Sequence, residues 1–204
     1  MKHFSHPLIS RLDLAVLLGV LFAVLMGNIA VFGQECVTLR QDVVRLHILA
    51  NSDSQSDQSL KLLVRDRILQ DVGSVFSLAA TKQGALALAQ QNLPRIEQAA
   101  RDVLAENGVE EPVHAELCRM YFTTRQYGDI QLPAGDYDTV RVTIGAGEGH
   151  NWWCVMYPPM CIPAAAADTV SRMPVMQEID HLNQQPLFTP KLAVVELVEK
   201  WLEK

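Results

Sequence analysis

"YDTVRVTIGAGEGHNWWCVMYPPMC", residues 137–161, is the stretch that decides how this chain folds. Val140, Val142 and Ile144 alternate with Thr139, Arg141 and Thr143, a two-residue period that specifies a β-strand. "GAGEG" follows as a glycine-rich turn and is expected to join adjacent strands as a hairpin. The next strand, "NWWCVMY", is apolar on both faces, which predicts cover on both sides. It places Trp152 and Trp153 on opposite faces. "PP", Pro158 and Pro159, then reverses the chain and returns Cys161 toward Cys154.

Upstream, "VVRLHILAN" has the same alternation, with Val44, Leu46, Ile48 and Ala50 on one face and Arg45 and His47 on the other. It ends in "NSDSQSDQ", a cluster of turn and cap formers. Leu60, Leu63, Val64, Ile68 and Val72 then recur at helical spacing, with Ser56 or Asp57 expected as the cap. A second helical region is expected from Thr81 to about Asn107, split at Pro94 and stopped by Gly108. "VHAEL", Val113 to Leu117, is a further strand, and "QLPAGDYD" an irregular connection. A short helix is expected between Pro163 and Pro186, and "TPKLAVVELVEKWLEK" predicts a terminal amphipathic helix. The order predicts an α+β fold: a mostly antiparallel or mixed sheet with two or three helices packed on one face, plus an N-terminal hydrophobic helix.

That hydrophobic helix sets the compartment. "LAVLLGVLFAVLMGNIAVF", Leu14 to Phe32, has no charge and comes after a segment containing Lys2 and Arg11. It is long enough for a signal peptide or a membrane anchor, and its basic flank favours export of the rest of the chain. "GQEC" before Cys36 is a poor lipoprotein box, because Glu35 stands where a small residue is needed. Three parts are therefore expected: 1–33 as signal peptide or anchor, 34–163 as the α+β domain opening on a short linker to residue 42, and 164–204 as a C-terminal extension.

Composition excludes some functions. The 204 residues are 49% hydrophobic and 20% charged, with a net charge of −6 and no run of lysines or arginines. Such a chain has no electrostatic footprint for nucleic acid. Six residues separate Cys154 from Cys161, too many for a zinc-ligating pair, and no further Cys or His pair completes a tetrahedron. No metal or other cofactor is expected. A nucleophilic Cys154 would need a base and an orienting group, and sequence proximity to His150 does not supply them. Export favours a Cys154–Cys161 disulfide, worth about 2.5 kcal/mol for so short a loop, against the alternative of two buried thiols. Cys118 reads as a small buried hydrophobe, and a bridge to Cys36 has no spacing argument. Asn51 and Asp53 suit either an ion site at a helix start or an Asx turn. "GAGEG" lacks the Lys-Ser/Thr of a phosphate loop. His47, His114 and His181 read as solvent-facing or loop residues.

Three segments together resemble a known family. "VRLHILANSDSQSDQSLKLLVRD" (44–66), "LPAGDYDTVRVTIGAGEGHNWWCVMYPPMC" (132–161) and "YG" (127–128) are similar to the stage II sporulation protein R family of endospore-forming bacteria. The resemblance covers roughly residues 43–163. Met156, Tyr157 and Met160 are conservative departures, and Cys36, Cys118 and the residues after Cys161 match no family motif. The resemblance implies a non-enzymatic intercellular signal. Such a protein is exported from the forespore into the space between two membranes. There it activates a membrane-embedded aspartic-type protease of the mother cell, which matures an early sigma factor. On that reading the loop from Trp152 to Cys161 is the candidate docking surface, with Tyr157, Pro158 and Pro159 in it and Asn151 and His150 as its polar rim. Asn51, Ser52 and Asp53 join it if their strands are neighbours. The rival reading is an exported thiol-dependent enzyme using Cys154.

Overall fold

A computed structural model describes residues 10–127, 130–160, 174–185 and 188–202. The strand around Val140 forms as its alternation requires, over Gly135–Ile144 (β5). It does not pair with the next strand in the chain, Asn151–Tyr157 (β6). Val44–Leu49 (β1) lies between them, parallel to β5 and antiparallel to β6. The expected hairpin is therefore replaced by a connection that steps over one strand. Val113–Phe122 (β2) pairs antiparallel with β5 on its other side, so the mixed sheet runs β2-β5-β1-β6. A small hairpin, Arg125–Tyr127 (β3) with Ile130–Leu132 (β4), interrupts the path from β2 to β5.

One face of the sheet carries two helices, Gln55–Phe76 (α2) and Lys82–Glu106 (α3). Leu60, Val64, Ile68, Val72 and Phe76 bury one stripe of α2, while Leu63 is exposed. The cap of α2 is Ser54, earlier than expected. Its hydroxyl accepts from the Asp57 amide at 3.1 Å, while the Asp57 carboxylate is taken by the Ser52 hydroxyl and the Asn51 amide. Pro94 does not split α3. Pro94 and Gln90, whose carbonyl loses its helical donor, are both exposed, so water can satisfy the freed carbonyl. Gly108, at φ +69°, ends the helix as expected, and Val109 N–H donates to the Leu104 carbonyl at 2.9 Å. Glu97 of α3 accepts from the Ala115 amide of β2 at 2.9 Å, which covers a donor on that edge strand. Lys82, at the start of α3, pairs with Asp138 of β5 at 2.6 Å.

The long N-terminal helix, Arg11–Asp42 (α1), continues through the residues read as a linker. It is long and apolar enough to cross a membrane by length and composition. Pro174–Asn183 (α4) is the short helix expected between Pro163 and Pro186, and Phe188–Leu202 (α5) is the terminal one. Asn183 of α4 accepts from the Gln131 amide at 2.8 Å and donates to its carbonyl at 3.2 Å, tying α4 to β4. The chain divides into two units, one of residues 1–37 with 186–204 and one of residues 38–185.

Candidate functional site

The place of β1 beside β6 brings the two polar loops together. Leu49 sits opposite Asn151, so Asn51–Ser54 leaves the sheet where Gly145–His150 enters it. The Asn51 side-chain oxygen accepts from the Ala146 amide at 2.9 Å, and its carbonyl accepts from the Glu148 amide at 3.2 Å. Gly149 N–H donates to the Ala50 carbonyl at 2.9 Å. Asp53 accepts from the His150 amide at 2.5 Å and also pairs with the His150 ring. From α2, Gln58 donates to the Ser52 carbonyl at 2.9 Å and Lys61 to the His150 carbonyl at 2.8 Å. The approach is so close that a Cβ on Gly149 would lie 2.1 Å from the Ser52 carbonyl oxygen.

Charge is tuned by the same contacts. The His150 amide, then its ring, holds the Asp53 carboxyl below the usual carboxylate range. The Ser52 hydroxyl does the same for Asp57. Burial lowers Lys61. The result is a hydrogen-bonded surface patch whose exposed polar groups include Asp53, Ser54, Glu148, His150 and Asn151. Asn51 and Ser52, half-buried, act as its internal ties.

The tryptophans part as their alternation requires. Trp152 faces the helices, with the Arg65 guanidinium 5.0 Å from its ring centre. Trp153 lies on the opposite face, beneath the Arg125 guanidinium at 3.6 Å and edge-on to Phe122 and His47. Both are half-buried. Tyr157, Pro158 and Pro159, expected in the docking loop, are buried at the other end of β6 from Asn151, where Tyr157 sits opposite Val44. Cys154 is buried and disulfide-bonded, whereas Cys36 and Cys118 are thiols, so the Cys36–Cys118 bridge does not form. Cys161 lies outside the described residues.

The face away from α2 and α3 holds a cluster that sequence reasoning missed. Arg45 and His47 of β1, expected on a second face with His47 toward solvent, are 0% and 4% exposed. The reason is topological: β1 is an interior strand, and this face is lined by Phe122, Tyr137 and Trp153 and closed over Arg45 by the β3–β4 hairpin. The Arg45 guanidinium sits 4.0 Å from the Phe122 ring centre and 4.8 Å from that of Tyr137, and donates to the Tyr127 hydroxyl. Both His47 ring nitrogens and the Trp153 indole N–H have no hydrogen-bond partner among the described residues. Burial, then the Arg141 and Arg45 cations, push His47 down to about 4. The one available signal was the "RLH" alternation itself, whose meaning depends on where the strand lies in the sheet. His114 and His181 are exposed as expected.

The fold thus defines an α+β domain in which two polar loops interlock at one end of a mixed sheet. Residues 40–167 match the profile of the family described as Stage II sporulation protein R (spore_II_R). That match covers more than half of the chain, and the chain belongs to this family. Over 125 residues it is 34% identical to the Stage II sporulation protein R of Bacillus subtilis (strain 168), a match covering 61% of this chain and 56% of the relative. No solved structure matches.

Proposed function

We propose that this chain is an exported intercellular signal of sporulation that activates a membrane-embedded aspartic-type protease. Activation triggers proteolytic maturation of the early mother-cell sigma factor. Family membership across residues 40–167 is the observation that supports this reading most, since the matched segment includes both interlocked loops. The apolar helix α1 is compatible with export as a signal peptide or with anchoring, which would place the domain between the two membranes. A binding role needs a surface that keeps its shape, so that little ordering entropy is lost on docking. The Asn51–Asp53 and Gly145–His150 loops meet that requirement through their mutual backbone bonds. Such a domain activates the protease only as far as it binds the active state better than the inactive one. Asp53, His150, Asn151 and the two tryptophans are the proposed contact residues. Tyr157, Pro158 and Pro159, buried at the other end of β6, serve the fold rather than the contact, as does the proposed Cys154–Cys161 bridge. The protein acts as a trigger and not as an enzyme on this reading.

The test is co-expression of the full chain with the protease and its pro-sigma substrate in a host that does not sporulate. Shortening of the substrate only when all three are present is the expected result. Shortening without this chain, or none with it, defeats the proposal. His150→Ala with Asn151→Ala, both exposed, should lower processing by about tenfold at equal exported levels if they lie in the contact centre. Unchanged processing moves the contact elsewhere.

A further inference from the structure

Helix α5 lies outside the segment that matches the family, and its surface is unlike that of a helix that packs on one side only. Leu192 and Val195 are buried. The Val195 methyls approach the place of a Gly33 Cβ to 3.7 and 3.9 Å, and the Lys191 amine lies 5.6 Å from the Phe32 ring centre. Around the helix from these residues, Val194, Leu197, Val198 and Trp201 are 38%, 69%, 43% and 75% exposed. Their spacing of three, four and seven residues makes one continuous apolar stripe. Leu192 and Val195 point away from the stripe, and Glu196 and Lys200 lie between the two faces on one flank. Water is a poor solvent for such a stripe, and its place in the molecule says what covers it. α1 exposes an apolar run from Leu14 to Val31, roughly 27 Å of helix, close to the thickness of a bilayer core. α5 touches α1 at Phe32 and Gly33, the two residues just past the end of this run.

We propose that α5 is an interfacial membrane helix that seats Val194, Leu197, Val198 and Trp201 in the lipid surface where α1 leaves the bilayer. Its 15 residues, with Glu196 and Glu199 among them, are too short and too charged to span. A tryptophan at one end of the stripe and an exposed lysine at 200 are what a helix at that depth uses, the ring at the headgroup–acyl boundary and the amine reaching to water. Lipid contact on two separate elements would hold the chain more firmly than α1 alone. The inference rests on α1 being retained in a bilayer and is independent of protease activation.

The test uses the full chain reconstituted in vesicles of phosphatidylcholine and phosphatidylglycerol, with and without bromine on the acyl chains. Subtracting the emission of a Trp201→Phe variant isolates Trp201. Bromolipid should quench that emission by about twofold, as expected for a ring at the acyl boundary, while acrylamide in the water does not reach it. A Leu197→Glu, Val198→Glu double variant should lose the bromolipid effect yet still float with the vesicles through α1. Quenching of Trp201 by acrylamide and not by bromolipid overturns the proposal in favour of a solvated stripe. Protection from both overturns it in favour of a second protein surface. Both substituted stretches are exposed, and a helical circular dichroism spectrum equal to that of the parent shows that each variant keeps its fold.

Discussion

His47 shows how much a single residue depends on its place in the sheet. Its ring sits among Phe122 and Trp153, with Arg45 on its own strand, Arg141 on β5 and Arg125 stacked above Trp153. Glu116 of β2 is engaged by Arg141 at 2.6 Å. Protonating the ring would add a buried positive charge beside existing ones, so folding holds it neutral down to about pH 4. An unfolded histidine takes up its proton near pH 6.5. The stability linked to His47 is therefore intact above pH 6.5 and is lost progressively as pH falls from there to about 4, by up to about 3 kcal/mol. His47→Phe, which keeps a ring in the cluster, should flatten the stability profile over that interval. Urea unfolding followed at several pH values measures it, and an unchanged slope would show that the ring is not held neutral.

At the scale of elements, the junction of the two loops carries the proposed contact surface. Gly149 is the pinch point: a methyl there meets the backbone oxygen of Ser52, which no rotamer change can relieve. Gly149→Ala should push the loops apart, break the Gly149–Ala50 bond, and cost about 2 kcal/mol or more in chemical denaturation. Because α2 is tied to the same loops through Gln58 and Lys61, amide exchange in its first turn should also quicken. A variant as stable as the parent would mean that the two loops are separable. Pro94 makes the opposite point about elements. It stands inside α3 without breaking it, at an exposed position where Gln90, the residue whose carbonyl it orphans, is also exposed.

For the whole molecule, the state of its four cysteines separates a binding protein from a thiol enzyme. Burial raises the Cys118 thiol above its usual value, which makes it a poor nucleophile at neutral pH. Alkylation of the denatured, unreduced chain should modify Cys36 and Cys118, with Cys154 labelled only after reduction. Replacing Cys161 by Ser should release Cys154 to the reagent, as the proposed pairing requires. Rapid labelling of native, unreduced Cys154 would instead support the rival enzyme reading.

Val140, Val142 and Ile144, the stripe on α2 from Leu60 to Val72, the glycine stop at 108 and the apolar run in α1 were all legible in the chain. Each is a periodicity or a backbone preference set by near neighbours. Tertiary structure alone decided which strands pair. Insertion of β1 between β5 and β6 turned an expected hairpin into a crossover, buried Arg45 and His47, and brought Asn51–Asp53 against Gly145–His150. Local alternation states that a strand has two faces. It carries no information about what covers each face, because that depends on contacts between residues 95 and 97 positions apart, such as Asn51 with Ala146 and Asp53 with His150.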